Sequence, residues 1–182
     1  MFKLSALCAV LSGPALAAGL VIEVAGEQSK GTVTIDLFEE IAPQHVERLT
    51  TLAIAGAYDD VVFHRVIEGF MAQTGDVEFG KAGGNTSMAG RGGSDLPDLP
   101  AEFSDTPYDR GVIGMARAQN PNSANSQFFI MFAEGYFLNG QYTVVGKVTD
   151  GMDVVDAIKL GKGANGAVLG MPDRMSKVTV TD

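Results

Sequence analysis

The chain has 182 residues, 46% of them hydrophobic, with a formal net charge of -9. This suits one globular domain with a sizeable core, and 19% charged residues without a long run of one sign argue against a disordered chain. An acidic chain repels phosphate, which disfavours nucleic acid and stable association with an anionic membrane surface.

The first residues differ from the rest. Lys3 gives a minimal positive start, and 4–16 is almost wholly apolar or small, interrupted by Gly13 and Pro14. Ala15-Leu16-Ala17 supplies the small-x-small pattern of a cleavage site, so 1–17 is expected to be a secretory signal peptide and 18–182 the mature domain. The apolar run is shorter than the ~20 residues a spanning helix needs. The alternative is a buried N-terminal helix, disfavoured because a strand-like segment follows almost at once. Cleavage near Ala17 removes Cys8, the only cysteine, so the mature chain would enter an oxidising compartment without a thiol. Losing Lys3 leaves 12 basic against 22 acidic side chains, a net charge of -10.

The segment 20–24 is apolar and β-branched, and 32–37 alternates polar and apolar residues, the period of a half-buried strand. The polar, glycine-bounded stretch 26–31 between them suggests a hairpin. Pro43 opens a helix whose apolar face is Val46, Leu49, Leu52 and Ala53, with Gly56 as its stop. Strands are expected at 61–67, 128–132, 143–148 and 177–181, and a second short helix at 153–160. The region 80–105, rich in Gly, Pro and Asp, reads as a long ordered loop of the kind that carries function. Seven or eight short strands with two helices, one early and one late, fit a mainly antiparallel closed barrel better than a doubly wound parallel sheet.

Two segments carry the chemistry. Residues 63–76 read FHRVIEGFMAQTGD. On a strand Phe63, Arg65 and Ile67 share one face, so Arg65 sits among apolar neighbours, while His64 points the other way and reads as structural. The bland alternative is a surface arginine whose stem covers apolar area. Residues 126–132 read SQFFIMF, in which adjacent phenylalanines send their rings to opposite faces, one for the core and one for a cleft. The plain alternative is an all-core strand.

These segments, with Phe137-Leu138-Asn139-Gly140 and Val145-Gly146-Lys147-Val148, resemble the cyclophilin-type peptidyl-prolyl cis-trans isomerases from about Gly19 to the C-terminus. The resemblance implies a closed eight-stranded antiparallel barrel capped by two α-helices. It implies isomerisation of X-Pro bonds in unfolded or flexible polypeptides, with no cofactor and no metal. It places the catalytic roles on Arg65 and Gln73. It places substrate contacts on Phe70, Met71, Gly90, Ala116, Arg117, Ala118, Gln127, Phe129, Phe137, Leu138 and Tyr142. Arg117, Phe137 and Tyr142 stand where the best-known eukaryotic members have asparagine, tryptophan and histidine, and the first two resemble bacterial exported members. Loss of an indole N–H at Phe137 implies weakened cyclosporin binding. The stretch 119–125 is one residue longer than the common form. A periplasmic or secreted monomer is expected.

The rival reading is a non-catalytic proline-peptide-binding or chaperone module on the same fold, which could keep the pocket and lose the arginine. A hydrolase is disfavoured, because GxSxG is absent and His45 and His64 are the only histidines; the same scarcity disfavours zinc. Residues 161–166 spell GxGxxG, but they follow a helix with no helix after them, so they read as a flexible loop and not a dinucleotide site.

Overall fold

Alternating apolar and polar residues build the first hairpin, β1 (Gly19–Ala25) and β2 (Lys30–Leu37), in which Leu20 faces Ile35 and Ile22 faces Val33. All four are buried, while Glu23 and Asp36 on the alternate positions face water. The computed structural model describes residues 18–181; the signal peptide expected over 1–17, with Cys8, lies outside the described residues.

Helix α1 (Pro43–Ile54) starts at the proline and buries Val46, Leu49, Leu52 and Ala53, as their spacing requires. Its N-cap residue, Ala42, has no side chain to offer the free amides. Glu102 supplies the cap from the long loop, accepting from the amides of Gln44 (3.2 Å) and His45 (3.1 Å) and from His45 Nδ1 (2.6 Å). Burial alone would raise the Glu102 carboxyl pKa, but these hydrogen bonds together hold it below its ordinary value.

The remaining strands are β3 (Val61–Val62), β4 (Arg65–Ile67), β5 (Met71–Thr74), β6 (Val112–Met115), β7 (Phe128–Met131), β8 (Val144–Asp150) and β9 (Arg174–Thr181). They form one antiparallel sheet in the order β3-β9-β1-β2-β8-β6-β7-β5-β4. The two outermost strands, β3 and β4, are separated in the chain by Phe63 and His64 alone, so the sheet is curled. The strand expected over 61–67 is therefore broken, and nine strands replace the expected eight. The break has a cause: β3 pairs with β9 and β4 with β5, so the chain must bend between the two ladders.

Strands β5 and β6 carry no alternation signal. Every residue of β6 is buried, so its faces cannot be told apart by polarity. Helix α2 (Met152–Asp156) is shorter than the expected 153–160. The chain leaves the helix early because Asp173 Oδ2 captures the Lys159 amide (2.9 Å) and Val66 O captures that of Gly161 (2.9 Å).

The helices pack on the large core that also holds Phe63, Phe128 and Ile130, α1 against β9 and α2 against β2. A second cluster, with Met71, Tyr108, Val112, Phe129, Met131, Leu138 and Val144, lies on the other side of β7. Phe128 and Phe129 thus go to opposite faces, as expected for neighbours on a strand.

Candidate functional site

The site is a row of facing residues across the sheet. Arg65 on β4 lies opposite Gln73 on β5, Gln73 opposite Phe129 on β7, and Phe129 opposite Gly114 on β6. Residues eight, fifty-six and fifteen positions apart are brought together by register alone. A turn through Gly69 (φ 68°) closes the β4–β5 hairpin, with the Phe70 amide donating to Ile67 O (3.0 Å). Gly114 is small for a reason: a Cβ there would come within 2.5 Å of the Phe129 ring and 2.4 Å of the Tyr108 hydroxyl.

Arg65, Gln73 and Phe129 of this row open on a cavity of about 230 Å³. Arg65, Phe70, Met71, Gln73, Ala116, Arg117, Phe129, Phe137, Leu138 and Tyr142 line it. Phe129 is held edge-on to Tyr142 (centroids 5.9 Å) and stacked on Tyr108 (5.8 Å). Phe137 is 66% exposed and leans on Phe70 at 5.5 Å, making an apolar rim. The expected residues Gly90, Ala118 and Gln127 line an adjoining cavity of about 460 Å³ instead, which shares Gln73, Ala116 and Arg117 with the first. The structure therefore brings all the sequence-predicted residues to one surface but divides them between two hollows.

The polar groups form a chain. Arg65 Nη1 donates to Gln73 Oε1 (3.1 Å), Gln73 Nε2 to Gln127 Oε1 (3.0 Å), and Gln127 Nε2 to Gly92 O (2.8 Å). Arg65 is half-buried; desolvation lowers its pKa, and a guanidinium stays charged nonetheless. Its other edge meets Asn165, with Nε donating to the backbone O (2.9 Å) and Nη2 to Oδ1 (3.2 Å). Arg117 is committed differently. It lies 4.3 Å over the Tyr142 ring and donates to Gln141 O (2.9 Å) and Ala118 O (2.9 Å), so it fixes the wall between the hollows.

His64 turns inward, as expected. Burial pushes its pKa down to about 4, against the pull of Asp76. The ring lies under Gly90, where a Cβ would come within 3.0 Å of it and φ is 97°. That contact explains why the pocket edge carries glycine.

Several residues that shape the site escaped the sequence reading. Asp76, fully buried, gathers the amides of Glu78 (3.1 Å) and Phe79 (2.9 Å) on one oxygen and of Gly90 (2.7 Å) and Gly92 (3.0 Å) on the other. Asn125 accepts from the Ser94 amide (2.8 Å) and donates to Leu96 O (2.9 Å). Together they order the long loop. Asp76 ends the 63–76 motif, and that position was its only signal. Among the described residues no cluster of three His, Cys, Asp or Glu side chains is placed to hold a metal ion.

Residues 21–180 match the family model described as cyclophilin type peptidyl-prolyl cis-trans isomerase/CLD. A Brucella suis protein named "Probable peptidyl-prolyl cis-trans isomerase" is 58% identical over 152 residues, covering 82% of this chain and 78% of that one. The crystal structure of the cyclophilin AquaCyp293 from Hirschia baltica superposes with a TM-score of 0.72 at 26% identity, covering 88% of this chain and 73% of that one. A Cryptosporidium parvum cyclophilin type peptidyl-prolyl cis-trans isomerase, crystallised in the presence of the dipeptide Ala-Pro, superposes with a TM-score of 0.74 at 25% identity, covering 90% and 99%.

Proposed function

The chain belongs to the cyclophilin-type peptidyl-prolyl cis-trans isomerases, and on that premise we propose that the cleft beneath Arg65 is where it turns the X-Pro bond. The chain is an enzyme that accelerates cis-trans isomerisation of X-Pro bonds in polypeptides. An X-Pro bond prefers trans by only about 0.5–1 kcal/mol, yet it relaxes over tens of seconds or more. The obstacle is amide resonance, with a barrier of about 18–20 kcal/mol. No bond is broken, so the protein has three tasks: to hold the proline ring, let the preceding carbonyl swing, and weaken the resonance.

The residues suit those tasks. Phe129, Met71, Leu138 and Phe70 form the apolar bed for the ring. Once the bond is twisted, the proline nitrogen becomes pyramidal and regains a lone pair. An N–H of Arg65 can donate to that lone pair, which the planar ground state lacks, so the interaction is specific to the transition state. Gln73 orients the guanidinium and can itself bond a substrate carbonyl. Ala116, Arg117 and Ala118 flank the cleft where an extended substrate would pair, and Gln127 and Gly90 take its continuation in the second hollow.

The observation that carries this reading is the placement of Arg65 in the same cavity as Phe129 and Phe70. In a protease-coupled assay of a proline peptide, Arg65→Ala is expected to lower kcat/KM about 10²–10³-fold, as for loss of one preorganised donor. Wild-type kcat/KM in a folded Arg65→Ala variant would refute the role.

Three finer readings belong to the same proposal. The nine strands amount to a closed barrel of eight if β3 and β4 are one strand interrupted at Phe63–His64, which their adjacency in the chain supports. Residues 1–17 act as a signal peptide, delivering a monomer to the periplasm or outside the cell; the supporting feature is Ala15-Leu16-Ala17 after an apolar run. The intact mass of the exported protein tests this, and a mature chain still carrying Cys8 would contradict it. Cyclosporin binds weakly because the cleft rim presents Phe137 and no indole donor.

A further inference from the structure

The stretch 161–166, read from its sequence as a glycine-rich loop, borders Arg65. The loop is fastened along β4 on both sides of Arg65. The Gly161 amide donates to Val66 O (2.9 Å) and the Val168 amide to His64 O (3.0 Å), while the Gly163 amide closes the loop on its own Ala167 O (2.9 Å). The glycines permit this closeness. Gly166 has φ 78°, and a Cβ there would come within 2.4 Å of Ile67 Cγ1.

At the tip sits Asn165, with φ 55° and ψ 29°. This left-handed conformation is one that asparagine tolerates. It turns both oxygens of one residue toward the same guanidinium edge: the backbone O to Nε (2.9 Å) and Oδ1 to Nη2 (3.2 Å). Gln73 takes a hydrogen of Nη1 from the other side. Three of the five guanidinium N–H groups are thus engaged by oxygens; a fourth, on Nη1, makes only a long contact to Met71 Sδ on the cleft side (3.9 Å), and the fifth has no partner.

We infer that Asn165 is the positioning residue of Arg65. Its two oxygens hold the guanidinium plane at one angle over the cleft, so that the donors not taken by oxygen are already aimed when the imide nitrogen becomes pyramidal. An arginine left unclamped would lose rotamer freedom at the moment of reaction and would donate from a spread of angles. The inference rests on Arg65 being the catalytic donor, and its test separates the two claims.

Asn165→Gly keeps the positive φ and the backbone carbonyl while deleting Oδ1. Its kcat is expected to fall about tenfold, the scale of one hydrogen bond to a charged group. KM should hold within about twofold, because the substrate's ground-state contacts are untouched and only the aim of a transition-state donor is lost. The melting temperature should stay within about 3 °C, since glycine suits this backbone. Asn165→Asp retains Oδ1 in the same turn and should restore kcat to within about twofold of wild type. In an Arg65→Ala background, Asn165→Gly should cost nothing further.

A wild-type kcat in Asn165→Gly, an Asp variant as slow as the glycine variant, or an equal loss with and without Arg65 would each overturn the clamp. If Arg65→Ala is slow while Asn165→Gly is fast, only the clamp fails. If Arg65→Ala itself keeps the wild-type rate, the assignment of Arg65 fails, and the clamp with it.

Discussion

Two glycine-rich loops border the cleft, and they are ordered in opposite ways. The long loop over 80–105 brings amides to fixed acceptors: Asp76 collects those of Gly90 and Gly92, with Glu78 and Phe79 just before the loop, and Asn125 fixes 94–98. The short loop over 161–168 brings acceptors to a fixed donor, laying the two oxygens of Asn165 on Arg65. His64 lies between them. Its ring packs beneath Gly90 of the first, and its carbonyl accepts the Val168 amide of the second. Glycine content alone therefore does not say that a loop is mobile. What decides is whether a partner of the right polarity waits on the scaffold.

The largest expected effect comes from removing the collector of the long loop. Asp76→Ala leaves four amides without their acceptor and is expected to cost roughly 3–5 kcal/mol, the range for breaking a buried hydrogen-bond network. Urea unfolding measures it. A loss under about 1 kcal/mol would mean that the loop is held by something other than this carboxylate.

His64 sharpens the comparison because it supports both loops at once. In the unfolded chain it takes a proton near pH 6.5, but in the folded protein only near pH 4. Between those values the unfolded state binds more protons, so stability falls as pH drops from about 6.5 to about 4 and this contribution changes no further below that. The shift corresponds to a loss on the order of 3 kcal/mol. The difference between wild type and His64→Gln in denaturant midpoints across this window isolates it. Parallel pH profiles for the two would contradict the buried, neutral ring.

Asn125→Ala affects one end of the long loop. It is expected to cost about 1–2 kcal/mol, because neighbouring bonds to Asp76 remain. KM should rise more for long peptides that reach the second hollow than for short ones. Equal changes for both lengths would show that the hollow takes no substrate. The smallest effect is expected away from both loops. Phe137→Trp adds an exposed donor at the rim and should tighten cyclosporin inhibition by about fivefold, with little change in kcat/KM.

How much of this could be read in the sequence follows from the same contrast. Arg65 and Phe129 were legible as strand residues from alternation, and the roles of Arg65, Gln73 and Phe129 from the resemblance of their motifs to the family; register aligns the three. Helix α1 was legible from the spacing of Val46, Leu49 and Leu52. Strand β6 was not: a short strand buried on both faces loses the polar half of the alternation. The interruption at Phe63–His64 was hidden because both residues are buried, like the strands they separate. Asn165 was hidden for another reason. Its role depends on a contact across 100 residues, and a glycine pattern looks the same whether the loop is free or fastened. Glu102 capping α1 across the long loop escaped for the same cause.

The most direct test of Arg65 is the rate of exchange on the enzyme itself. With an X-Pro peptide at saturation, NMR exchange spectroscopy reads cis-trans interconversion in the bound state separately from binding. The account predicts that Arg65→Ala slows bound-state exchange about 10²–10³-fold while peptide affinity, set by the apolar bed, changes only a few-fold. Bound-state exchange at the wild-type rate in a folded Arg65→Ala protein would contradict it.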